Sequence, residues 1–91
     1  MKQHGLGYPL PKYNLSIWAE PHFQQRCKDR QVPSAKVIKY LINNPNIVKG
    51  KFDNRERVIE VPINTNNTAV VVVRHYVFHD PAVILVTTYW K

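Results

Sequence analysis

His22, Arg26 and Arg30 recur at i, i+4 and i+8 within the segment PHFQQRCKDRQVPSAKVIKYLINN. On a helix this spacing stacks one imidazole and two guanidiniums along one face. Arginine is almost never fully buried without a partner, so the stripe is poor core material. It suits a phosphate, because two forked cations grip the oxygens while an imidazole, which titrates near neutrality, moves a proton. A solvated helix face paired with Glu20 and Asp29 is the plain alternative. Arginine in place of lysine favours the phosphate, since a guanidinium makes two parallel bonds where an ammonium acts as a point charge.

Three further groups carry polar chemistry. Arg74, His75 and His79 follow an apolar run, and strand alternation sends Arg74 and His75 to opposite faces while His75 and His79 share one. No third ligand stands near the two histidines, which argues against a metal site. Thr87 and Tyr89 place two hydroxyls on one face of the last strand, able to orient a phosphate, and the tyrosine ring can stack on a base. Lys49, Lys51, Arg55 and Arg57 crowd the first hairpin; they fit backbone contact to RNA or a charged, aggregation-resistant edge. The candidate RNA contacts are Arg74, His75, Arg55, Arg57, Lys28 and Lys51. Glycine-rich phosphate loops, serine nucleophile elbows and zinc-protease motifs are missing from the sequence.

These side chains need elements to hold them. Residues 1–15 contain Gly5, Gly7, Pro9 and Pro11 and read as an extended arm, with Tyr8, Leu10 and Tyr13 able to pack on the body. A first helix is expected from about Ser16 or Glu20 to Arg30; Pro21 is tolerated in a first turn and would break a helix interior, which favours a start near Pro21, with 16–19 a turn anchored by Trp18. Ser34 is the expected N-cap of a second helix, whose stripe is Val37, Ile38, Leu41 and Ile42 and which Asn44-Pro45-Asn46 ends. Strand-like periods then cover residues 47–52, 57–63, 69–79 and 83–90. Arg57, Ile59, Val61 and Ile63 share a face, the third of these strands reads as covered on both sides, and Leu85, Thr87 and Tyr89 share a face of the last. The expected fold is α+β: two N-terminal helices packed on a three- to four-stranded antiparallel sheet, with residues 16–91 as one compact domain.

Composition narrows the function. The 91 residues carry 13 basic and 6 acidic side chains, a net charge of +7 and a pI of about 9.8. That imbalance points to a polyanionic partner. Apolar residues make up 44%, enough for one core. Cys27 is the single cysteine, so neither an internal disulfide nor a cysteine-based zinc site is available. It lies on the helix face opposite the stripe, near Phe23, as a small buried apolar group. The N-terminus lacks the continuous apolar stretch of a signal peptide, and the longest apolar run, residues 69–73, is far too short to cross a bilayer.

The text from His22 through Arg26, Arg30, Val32 and Ser34, with the tail Ile84-Leu85-Val86-Thr87-Thr88-Tyr89, resembles a family of small domains with a His-x3-Arg-x3-Arg-Gly-Ile-Ser head and a Val-Thr-Val-Tyr-like end. Gln31 stands where that head has Gly, and Cys27 where a larger apolar residue is common. The family looks like part of the barnase–EndoU–colicin–RelE group of ribonuclease toxins. The resemblance implies metal-independent and cofactor-independent RNA cleavage, often of tRNA, and neutralisation by an acidic immunity protein or antitoxin. It also implies action in a bacterial cytoplasm, in some members after delivery as the C-terminal part of a contact-dependent growth inhibition protein.

On that reading a base takes the ribose 2′-OH proton, the oxygen attacks the adjacent phosphate, and an acid protonates the leaving 5′-oxygen. His22 would be acid or base, Arg26 and Arg30 charge stabilisers, and Thr87 and Tyr89 orienting or relay groups. The assignment requires the first helix to lie beside the Thr87/Tyr89 face; otherwise His75 or His79 takes the role. A non-catalytic RNA- or DNA-binding module uses the same charge and aromatics without a titratable pair. An antitoxin or immunity protein fits less well, because inhibitors of RNA-cleaving toxins mimic an acidic ligand.

Overall fold

The structure, a computed structural model, describes residues 6–10, 15–48, 56–76 and 82–91. The elements run β1 (Leu6–Leu10), β2 (Leu15–Ala19), α1 (Pro21–Arg30), α2 (Ser34–Asn43), α3 (Pro45–Val48), β3 (Glu56–Pro62), β4 (Thr68–Tyr76) and β5 (Ala82–Trp90). The strands form one sheet in the order β1-β2-β5-β4-β3. The class is α+β, as expected. The sheet is mixed rather than antiparallel, because β2 runs parallel to β5.

Register sorts the side chains into two faces. Ile17 and Ala19, Val83 and Leu85, Val71 and Val73, and Ile59 and Val61 share one face. They form a single core with Phe23 and Cys27 of α1, Val32, and the α2 stripe Val37, Ile38 and Leu41. Burying each large side chain in this layer contributes about 1.5–3 kcal/mol.

Several expectations change. Residues 6–10 of the extended arm form a hydrogen-bonded strand, with Tyr8 packed against the core as expected, and residues 16–19 belong to β2 rather than to a lead-in turn. Pro9 is acceptable because β1 is an edge strand. Gly7 leaves room for the Trp18 ring, since a Cβ there would stand 3.1 Å from Trp18 Cη2. Pro21 does open α1. Pro33, not Ser34, occupies the N-cap of α2, and no side chain caps that helix. Ile47 and Val48 are helical, because Pro45 supports a first turn and starts α3. The rest of that expected strand, with Lys49, Lys51 and Arg55, lies outside the described residues, as does His79. β4 lies inside the sheet, and its second face is partly covered as expected: Val70 is 7% exposed and Val72 half-buried, although the described helices pack on the other face.

The last strand holds the largest departure. Val72 lies opposite Thr87, yet Val73 lies opposite Leu85, so Val86 is an extra residue, a β-bulge. One inserted residue exchanges the faces beyond it. Thr88 and Trp90 join Leu85 on the helix side, and Thr87 and Tyr89 join Ile84 on the other. Thr88 is fully buried, and its hydroxyl donates to the Val70 carbonyl at 2.8 Å.

Gln31 ends α1 in the left-handed region, φ 56° and ψ 37°, which lets the Val32 N–H reach the Cys27 carbonyl at 2.9 Å. This backbone favours glycine. Gln31→Gly should therefore stabilise the fold by about 1 kcal/mol in urea denaturation, and a loss of stability would contradict the geometry. Burial pushes the Cys27 thiol from its ordinary 9.0 up to about 11. The folded chain keeps that proton longer than the unfolded one, so this contribution is complete below the lower value and is lost as pH rises through the upper one. Stability measured across that window should fall less in Cys27→Ala than in the parent; equal slopes would contradict the shift.

Candidate nucleic-acid interface

Helix α1 presents the sequence stripe as expected, with Phe23 and Cys27 inward and His22 exposed. The two arginines of the stripe are already engaged. Arg26 Nη1 binds Asp29 Oδ2 at 2.8 Å, and Gln25 donates to the other carboxylate oxygen at 2.8 Å. These hydrogen bonds, Gln25 first, hold the Asp29 carboxyl below its usual range.

Arg30 has a structural task. β2 accompanies β5 only as far as the Ala19–Leu85 pair, so among the described residues no strand lies beside the outer edge of residues 86–90. The Lys91 N–H bonds to the Thr68 carbonyl at 2.9 Å. By the alternation of an antiparallel pair, Thr88 then points its carbonyl away from β4. Arg30 Nη1 meets that carbonyl at 2.7 Å, and the Trp90 indole N–H donates back to the Arg30 carbonyl at 2.6 Å. The end of α1 thus closes the strand edge.

The proposed catalytic set is not brought together. His22, Arg26 and Arg30 lie on the helix side, whereas the bulge sends Thr87 and Tyr89 to the opposite face. His75 does not replace His22 at the surface. It is 1% exposed on the helix side, with Nε2 3.4 Å from Arg57 Nη2, and Arg57 also donates to the Ile47 carbonyl at 2.5 Å. This contact ties β3 and β4 to α3. Arg74 does face away from His75, and it pairs with Glu56 at 2.7 Å. Lys28 stands near the α1–α2 junction, at the rim of a cavity.

What the fold does gather is an aromatic face. Trp18, Ile84, Arg74 and Glu56 form one row across the side away from the described helices, Thr87, Val72 and Val58 another, and Tyr89, Val70 and Glu60 a third, in which Val70 is buried. Trp18 and Tyr89 are each 41% exposed and Val58 58%. Pleat steps of roughly 3.3 Å and a strand spacing of about 4.8 Å put the Trp18 and Tyr89 backbones about 14 Å apart. Among the described residues, Arg74 with Glu56, and Lys91 with Glu60 at 3.0 Å, balance the charge of this face. The positive surplus among the described residues sits on the helix side, where Arg26, Lys28, Arg30, Lys36, Lys39 and Arg57 outnumber Glu20 and Asp29. Trp18 is the residue that sequence reasoning undervalued. The alternation Ser16-Ile17-Trp18-Ala19, taken as a strand, would have turned it outward opposite Ile17.

Arg30→Met should cost about 1–2 kcal/mol in thermal or urea denaturation, because the Thr88 carbonyl loses its partner, whereas His22→Ala should stay within about 0.5 kcal/mol. Equal small effects would remove the latch from the account. Comparison with family models, curated proteins and solved structures returned no match, so the functional reading rests on this geometry.

Proposed function

We propose that this chain binds RNA, with bases of a single-stranded segment lying on the open sheet face. One observation carries the reading: a sheet whose described helices all lie on one side presents Trp18 and Tyr89 to solvent on the other, in a chain of net charge +7. A flat, near-neutral aromatic surface suits base stacking, which tolerates sequence because every base has a π-face. Duplex binding would instead call for a basic groove or helix aimed at phosphates. Thr87 lies between the two rings along the face and offers a hydroxyl to a base edge or ribose. The basic helical layer supplies longer-range attraction for the backbone.

A ribonuclease toxin held by an acidic immunity protein or antitoxin is the second reading. The observation that favours it is the Glu56–Arg74 pair on the same face as Thr87 and Tyr89. There Glu56 would take the 2′-OH proton and Arg74 would stabilise the phosphorane, in place of the His22 set.

The test is equilibrium binding of a labelled single-stranded oligoribonucleotide in EDTA, with the RNA checked for cleavage afterwards. Trp18→Ala and Tyr89→Ala should each weaken binding roughly 10- to 100-fold, from about 1–3 kcal/mol per lost stack, while His22→Ala binds as the parent does. Unchanged affinity in both aromatic variants would refute the open-face site. Fragments made by the parent and not by Glu56→Gln would establish the second reading.

A further inference from the structure

The open face supplies rings but, among the described residues, no surplus cation: Arg74 is paired with Glu56 and Lys91 with Glu60. Single strands are held by stacking combined with a basic track for the backbone. An RNA lying on this face must therefore leave it to find partners for its phosphates. The two rims of the sheet differ in what they offer. β3 borders one rim and carries the exposed carboxylates Glu56 and Glu60. Beyond Leu85 the other rim is the free edge of β5, where residues 86–91 contain no acid and Arg30 is latched across to the Thr88 carbonyl.

Tyr89 and Trp90 stand back to back at that rim. Successive strand residues point to opposite faces, so Tyr89 ends on the open face and Trp90 on the helix side, 37% exposed. The Arg30 carbonyl holds the Trp90 indole N–H at 2.6 Å, which fixes the ring beside α1. Arg26 lies one turn back on the same helix face as Arg30. Among the described residues Arg26 donates through Nη1 to Asp29 and Arg30 through Nη1 to Thr88, so most of the five N–H donors of each guanidinium remain for a phosphate. Asp29 is the carboxylate at this corner, and Arg26 and Gln25 already hold it. The negative end of the α1 dipole is masked as well. The Cys27, Lys28 and Arg30 carbonyls accept from the Val32 N–H, the Gln31 N–H and the Trp90 indole.

We propose that the RNA strand on the open face continues around the end of β5, stacks a base on Trp90 and lays its phosphates against Arg30 and Arg26. This route rests on the open-face reading and adds a required length to it. A trinucleotide, even drawn out, is used up across the roughly 14 Å between the Trp18 and Tyr89 backbones. Only a longer single strand reaches Trp90 and the arginines.

The test compares a trinucleotide with a decanucleotide of single-stranded RNA on the whole chain. The two indole N–H signals are followed by NMR, and affinity is measured against salt. The trinucleotide should shift the Trp18 signal alone, and the decanucleotide should shift both. Trp90→Leu should weaken decanucleotide binding roughly tenfold or more and leave the trinucleotide unchanged, while Trp90→Phe, which keeps a ring, stays near the parent. Arg26→Gln, which leaves the Arg30 latch untouched, should flatten the slope of log affinity against log salt by about 0.7 for the decanucleotide only. An unmoved Trp90 signal with bound decanucleotide, or parental affinity and salt slope in both Trp90→Leu and Arg26→Gln, overturns the route. If Trp18→Ala and Tyr89→Ala still weaken binding in that case, the open-face reading stands without it. Parental affinity in Trp18→Ala and Tyr89→Ala with either oligonucleotide removes the open-face reading, and the route falls with it.

Discussion

The early end of β2 is the constraint on which the rest of the structure depends. β2 pairs with β5 from Ser16 to Ala19, and the chain then turns into α1. The second half of β5 is left with polar backbone groups on an edge that a core cannot leave unpaired. α1 fills the gap: Arg30 takes the Thr88 carbonyl and receives the Trp90 indole N–H. The same half-strand carries the Val86 bulge, which seats Thr88 in the interior and turns Thr87 and Tyr89 outward. Edge, bulge and latch together decide which of the terminal Thr-Thr-Tyr-Trp side chains meet solvent.

Much of the fold was legible because local rules and packing agree. Pro21 marks the start of α1, the Val37/Ile38/Leu41 stripe marks the buried face of α2, and the Arg57/Ile59/Val61 alternation marks the inner face of β3. The failures have separate causes. Glycine and proline in residues 6–10 suggest a loop, yet an edge strand tolerates Pro9, and Trp18 packs over Gly7. Ile47 looks like a strand residue, but Pro45 two positions earlier sets a helical turn. The bulge leaves no trace, because Val86, Thr87 and Thr88 are all β-branched and none is a glycine that would announce it.

The candidate site was legible in residue types and not in assembly. The i, i+4, i+8 stripe on α1 is real, but a sequence cannot show that Arg30 is committed to Thr88 or that Arg26 faces Asp29. Strand alternation correctly separated Arg74 from His75 and incorrectly joined Thr87 to Leu85. The chemistry therefore divides between two faces. Among the described residues, aromatic rings and paired charges occupy the sheet face away from the helices, while unbalanced cations and an uncapped helix start occupy the other side.

Trp18 is the most direct reporter of the open-face claim. With Trp90→Phe it becomes the single tryptophan of the chain, and its fluorescence can be followed as single-stranded RNA is added. Base stacking predicts saturable quenching whose midpoint matches the affinity measured independently on the RNA. Binding that leaves Trp18 emission unchanged would place the RNA elsewhere on the molecule and contradict the account.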